Sequence, residues 1–151
     1  MVVASTFDVS TNTETELQSL LSGEVAAAET YTQAIDKLPA QHQPLLRTLC
    51  QEHGDAIKFF HEELSKRGVE PKTTSGMWGQ FVKLLEGSAL MVSNKLALQA
   101  LHAGEKRGLA GYQHAVRNAN LPSQCRIHID GELVPAQKRH VDSLEQVLQQ
   151  Q

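Results

Sequence analysis

The sequence predicts an all-α four-helix bundle made of two antiparallel hairpins joined by one long connection. Apolar residues recur every three or four positions along four long stretches, which is the period of an amphipathic helix. No stretch alternates apolar and polar residues as a strand does. The first and last pairs of stretches have short links, whereas residues 68–93 separate the second from the third. Short links place helices side by side and antiparallel, and a long connection can return along the bundle.

The first hairpin has recognisable start and stop signals. Residues 1–12 are rich in Ser and Thr without a helical period, which predicts a flexible N-terminal arm. The capping-box pattern Thr13–Glu16 predicts the start of the first helix, and Pro39 ends it. Gln43–Pro44 opens the second helix, because Pro is favoured in a first turn, and Gly68 is a natural C-terminal stop.

The second half follows the same logic after a loop. We expect the long connection to carry a short amphipathic helix over 77–91 with Trp78 and Phe81 on its apolar face. A break and cap at 92–94 precede the third helix, and Pro122–Ser123 starts the fourth. Gly131 and Pro135 should bend that last helix, since Pro removes a helical N–H donor. We therefore predict a single domain over residues 13–151.

Composition narrows the function classes. The 151-residue chain has a formal net charge of −3 and no basic stripe, which argues against binding to nucleic acid. No apolar run approaches the roughly 20 residues needed to span a bilayer, and no signal peptide is recognisable at the N-terminus. The two cysteines lack CxxC spacing, so we expect reduced thiols in a cytoplasmic protein. A homodimer or higher homo-oligomer stays open, because the apolar face of the short helix could cover the bundle or a subunit interface.

One polar residue falls on the apolar stripe of each long helix. At about 100° per residue these are Glu24, His53, Glu105 and His140. The two hairpins repeat a Glu helix followed by a His helix, so a pseudo-twofold pairing brings all four to mid-bundle. Buried carboxylates are costly unless they are compensated. A divalent cation compensates them, and this set of oxygen and nitrogen ligands suits zinc, iron or manganese.

A metal-free interpretation also fits these residues. The two histidines could neutralise the two carboxylates as imidazolium ions. Tyr31 and Tyr112 each follow one of the glutamates by seven residues, so their hydroxyls could bind the carboxylates or simply pack.

Several motifs resemble those of an uncharacterised bacterial family of ferritin-like four-helix bundles, classed as a domain of unknown function. That family is distantly related to bacterioferritin and rubrerythrin, and the resemblance covers the chain from about residue 14. It rests on Gly23-Glu24 with Glu29-Thr30-Tyr31, on Ser75-Gly76-Met77-Trp78-Gly79, on Gly104-Glu105 with Gly108 and Tyr112, and on Leu133-Val134-Pro135 with His140.

The resemblance implies a ligand set. In di-iron relatives the first and third helices each supply one Glu, and the second and fourth each supply Glu-x-x-His. The terminal Glu and His ligands match the four inward residues, but Cys50 and Gln137 stand where the bridging carboxylates would precede His53 and His140. The resemblance therefore implies a single-metal, non-catalytic site, with Glu52, Cys50 and Gln137 as additional candidate ligands and the two tyrosines hydrogen-bonded to the carboxylates.

Three functions follow from these patterns. The first is a non-enzymatic bundle that binds one divalent metal. The second is a di-metal iron redox enzyme of the ferritin and rubrerythrin type. The third is a metal-free structural or stress-related interaction protein.

Overall fold

Helices and turns make up the part of the chain that the structure describes. The computed structural model describes residues 2–72 and 93–151, and no strand occurs within these ranges. The helices are α1 (Val2–Lys37), α2 (Gln43–Lys66), α3 (Asn94–Val116), α4 (Ser123–His128) and α5 (Val134–Gln149), with a 3₁₀ turn at Ala40–His42 and a π turn at Ile129–Leu133. The all-α prediction is confirmed for these ranges. The short helix expected over 77–91 lies outside them. None of the described helices is long and apolar enough to cross a membrane.

Most helix ends agree with the sequence signals. Gly68 has a φ of 72°, the left-handed conformation that glycine adopts readily after a helix. Ser93 caps α3 by accepting a hydrogen bond from the Leu96 N–H at 3.2 Å. The first helix differs, because it begins at Val2 and not at the capping box of Thr13. No Pro or Gly occurs in residues 2–12, so nothing local stops the helix there. The flexibility of residues 1–12 stays a prediction.

A π turn lies where the sequence predicted a bend in the last helix. Gly131 and Pro135 were expected to bend this helix, and the π turn at Ile129–Leu133 separates α4 from α5 at that place. Pro135 stands near the start of α5, where a missing N–H costs little. The α4 helix, the π turn and α5 together form the fourth helical rod of the bundle.

The π turn changes which residues of α5 face the core. The period of an uninterrupted α-helix predicts Leu133 and Ala136 on the apolar face, whereas the buried residues are Val134 and Gln137. A π turn adds one residue to a helical turn and so rotates everything after it by about 100°. That rotation brings Gln137 onto the same buried face as Ile129.

The helix directions follow from contacts between residues of neighbouring helices. Glu24 contacts His53, and the Ala28 carbonyl contacts Cys50, so α1 and α2 run antiparallel. Contacts described below show that α3 is also antiparallel to α1, and therefore α2 and α3 run parallel. The connection between them thus begins at one end of the bundle and finishes at the other.

A polar layer, formed by the buried side chains of Glu24, His53, Glu105 and His140, divides the hydrophobic core into two clusters. The Phe60 cluster lies towards one end of the bundle, and the Leu98 cluster lies towards the other. The Phe60 cluster contains Leu17, Leu21, Val25, Ala56, Phe60, Leu64, Tyr112, Ala115, Leu121, Cys125, Ile129 and Val134. The Leu98 cluster contains Tyr31, Ile35, Leu38, Leu46, Leu49, Leu98, Leu101 and Leu144. The layer between them positions the candidate site.

Candidate metal centre

The polar layer contains the four residues singled out by the sequence. Glu24, His53, Glu105 and His140 are all buried, with exposures between 2% and 6%. They come from α1, α2, α3 and α5, one from each rod of the bundle. Four buried ionisable side chains are stable only when each is paired.

His53 lies between two carboxylates. Its Nδ1 donates to Glu24 Oε2 at 2.6 Å, and its Nε2 donates to Glu105 Oε1 at 2.9 Å. Burial favours the neutral ring, but the charge of Glu24 and the hydrogen bonds to both carboxylates outweigh it. These interactions raise the pKa of His53 to about 10. Without a metal, the ring is therefore an imidazolium that bridges two carboxylates at neutral pH.

Glu105 is the centre of the layer. Its Oε1 accepts hydrogen bonds from Tyr31 and His53, and its Oε2 accepts one from Gln137 and lies 3.4 Å from His140 Nδ1. Burial would raise the pKa of Glu105, yet the hydrogen bonds from His140 and His53 and the charge of His53 lower it to about 2. The carboxylate is therefore ionised and fully hydrogen-bonded.

His140 connects the centre to the edge of the bundle. Its Nδ1 faces Glu105, and its Nε2 lies 2.5 Å from Glu52 Oε2. The Glu52 side chain is 33% exposed and lies 3.7 Å from Arg139. Glu52, an additional candidate ligand in the sequence, thus contacts the second histidine.

The two tyrosines bind the carboxylates reciprocally. Tyr31 of α1 donates to Glu105 of α3, and Tyr112 of α3 donates to Glu24 of α1. Glu24 on α1 pairs with Tyr112 on α3, and the later residue Tyr31 pairs with the earlier residue Glu105, so these helices are antiparallel. Burial and the neighbouring carboxylate charges raise the pKa of both phenols well above its usual value, so both remain protonated donors. The ring of Tyr31 also stacks on His53, with centroids 5.4 Å apart.

The two residues at the expected bridging positions differ in what they contact. Gln137 Nε2 donates to the Glu105 backbone carbonyl at 3.0 Å and to Glu105 Oε2. Cys50 Sγ instead lies 3.7 Å from the Ala28 carbonyl and from Thr32 Oγ1 on α1. Gln137 therefore belongs to the site as a donor, and Cys50 packs beside it.

His53, Glu105 and His140 can offer ligand atoms to one metal ion. One such atom from each residue lies within 4.8 Å of the others. Tetrahedral zinc with bonds of about 2.0–2.1 Å places ligand atoms roughly 3.3 Å apart, so side chains would close by about 1.5 Å around an ion. The remaining ring nitrogens contact Glu24 and Glu52. Carboxylates in that position commonly orient metal-binding histidines. Glu24, predicted as a direct ligand, here contacts the His53 nitrogen opposite Glu105.

Fold and site together define an all-helical, bundle-like protein with a buried histidine–carboxylate cluster that could hold a metal. Comparisons with models of known families, with curated proteins and with solved structures find no significant match. Membership of a ferritin-like family therefore stays a prediction.

Proposed function

We propose that this protein binds one divalent cation at mid-bundle, without catalysing a reaction, and that His53, Glu105 and His140 supply the ligands. The observation that carries this proposal is the convergence of two imidazole nitrogens and one carboxylate within 4.8 Å. Zinc, iron and manganese all accept such a ligand set.

The surroundings of the three ligands support a site for a metal ion. Tyr31 and Gln137 each donate to one oxygen of Glu105, so the carboxylate is held in place before any ion binds. Glu24 and Glu52 accept from the outer nitrogens of the two histidines. The inner nitrogens can then bind the cation, which displaces the proton that His53 Nε2 donates to Glu105 in the metal-free protein. The three ligands are each at most 3% exposed, which favours retention of an ion over turnover of a substrate.

A ferritin-like fold is part of the same proposal. Two features support it: α2 and α3 run parallel, as a single long crossover requires, and each rod contributes one polar residue to the centre. A carboxylate three residues before each histidine would be needed for a di-iron centre of that fold, and Cys50 and Gln137 stand there. The di-metal redox alternative would require two metals per chain and oxygen-dependent iron oxidation.

Elemental analysis tests the proposal directly. Protein purified without added metal should contain about one divalent metal per chain, and Glu105→Ala should lose it. Glu145→Ala, at an exposed position on α5, removes the same kind of side chain from outside the buried layer and should keep the metal. Metal-free protein that binds no added zinc, and whose unfolding is unchanged by a chelator, would overturn the proposal.

A metal-free structural role is the second candidate function. It is favoured by one observation, that both nitrogens of His53 already donate to carboxylates at 2.6 and 2.9 Å. An imidazolium neutralises the layer without an ion. The two functions are separated by thermal unfolding with and without zinc, since a specific site raises the midpoint as ligand concentration rises.

A further inference from the structure

The amide of Gln137 has a fixed orientation in the polar layer. Gln137 is 3% exposed, and its Nε2 donates both to the Glu105 backbone carbonyl and to Glu105 Oε2. Both partners are acceptors, so the NH₂ end of the amide must face them. The layer thus presents a donor, and not an acceptor, on the Oε2 side of the central carboxylate.

Gly108 makes room for this amide. A Cβ atom added at Gly108 would lie 2.7 Å from Gln137 Nε2 and 3.3 Å from its Cδ. Four residues earlier on α3, Gly104 has nothing within 4 Å of the same added atom. The close approach therefore occurs at Gly108 and not at Gly104, because the Gln137 side chain fills the space that a side chain at position 108 would occupy.

A fixed donor at this position restricts where cations can bind. An N–H group and a metal ion compete for the same carboxylate lone pairs, so Oε2 of Glu105 is already in use on the side that Gln137 covers. The neutral amide also brings no negative charge to offset a second cation. A carboxylate at this position would face Glu105 acceptor to acceptor, and that contact is stable only with a proton or a cation between the two groups.

We infer that Gln137 is the residue that limits this centre to one metal ion. The inference rests on the proposed function and adds what determines the number of ions. Gln137 acts through Glu105 as a positioning residue, and the number of bound ions is a property that a purely structural role would not change.

The test is the zinc stoichiometry of the full chain by native mass spectrometry and calorimetry. Wild type should bind one zinc ion, and Gln137→Glu should bind two. Gln113→Glu makes the same change at an exposed position on α3 and should still bind one. One zinc ion in both wild type and a folded Gln137→Glu, or two in wild type, overturns the inference and leaves the proposed function intact. No zinc in wild type overturns the proposed function itself.

A second variant keeps the inference testable if Gln137→Glu fails to fold. Gln137→Met has a similar length but cannot donate to Glu105, and it should bind one zinc ion about 10- to 100-fold more weakly. A zinc affinity within threefold of wild type in that variant would show that the amide does not position Glu105, and would overturn the inference.

Discussion

Raising the pH of the metal-free protein should lower its free energy of unfolding by about 1.4 kcal/mol per pH unit above about pH 7. The cause is His53, whose pKa rises from an ordinary 6.5 to about 10 between Glu24 and Glu105. Above 6.5 the unfolded chain loses the imidazole proton while the folded chain keeps it, so the folded state binds one more proton. Stability is therefore complete below pH 6.5 and is lost as pH rises towards 10.

The magnitude is set by a single proton. Between pH 6.5 and about pH 9 the loss amounts to about 3 kcal/mol, a large part of a typical stability of roughly 5–15 kcal/mol. The measurement stops at about pH 9 because burial raises the pKa of the Cys125 thiol from 9.0 to about 11, so that group also begins to favour unfolding at higher pH.

Urea unfolding followed by circular dichroism, in buffers containing a chelator, measures how steeply the free energy of unfolding falls with pH. His53→Gln should abolish it, whereas His114→Gln, at an exposed position on α3, should retain it. A free energy of unfolding that stays constant from pH 7 to 9 in the wild type, or an equal slope in His53→Gln, would refute the bridging imidazolium.

Three further perturbations act on the same layer. Tyr112→Phe removes the hydroxyl that donates to buried Glu24 and should lower the free energy of unfolding by about 1–3 kcal/mol in urea titrations. Gly108→Ala should be about 1–3 kcal/mol less stable than Gly104→Ala by the same measurement, because only at Gly108 would the new methyl displace the Gln137 amide and its hydrogen bonds. Equal stabilities would contradict the close approach at Gly108. Glu24→Gln should weaken zinc binding about 10- to 100-fold in calorimetry while retaining one ion per chain; complete loss of the ion would instead make Glu24 a direct ligand.

The sequence predicted the helices and the inward residues because both depend on a simple period. Glu24, His53, Glu105 and His140 were singled out by their angle on apolar stripes, and the structure brings all four into one buried layer. Gly68 and the other local stop and cap signals located most helix ends, since such signals depend only on neighbouring residues.

The sequence could not give the contacts within the layer. The register of α5 depends on the π turn, and Gly131 and Pro135 indicated a bend without its rotation. For this reason the burial of Val134 in place of Leu133 was missed. The contact of Glu52 with His140 was missed because it depends on how two rods pack, which no period within one helix records.

The reciprocal tyrosines have a consequence for how this chain can vary. Each phenol belongs to one hairpin and its carboxylate belongs to the other, so neither hairpin contains a complete pair. Replacing Tyr31 therefore removes a hydrogen bond from Glu105, in the opposite half of the chain. We expect these positions to be inherited as pairs, so that related sequences either retain both members or replace both together.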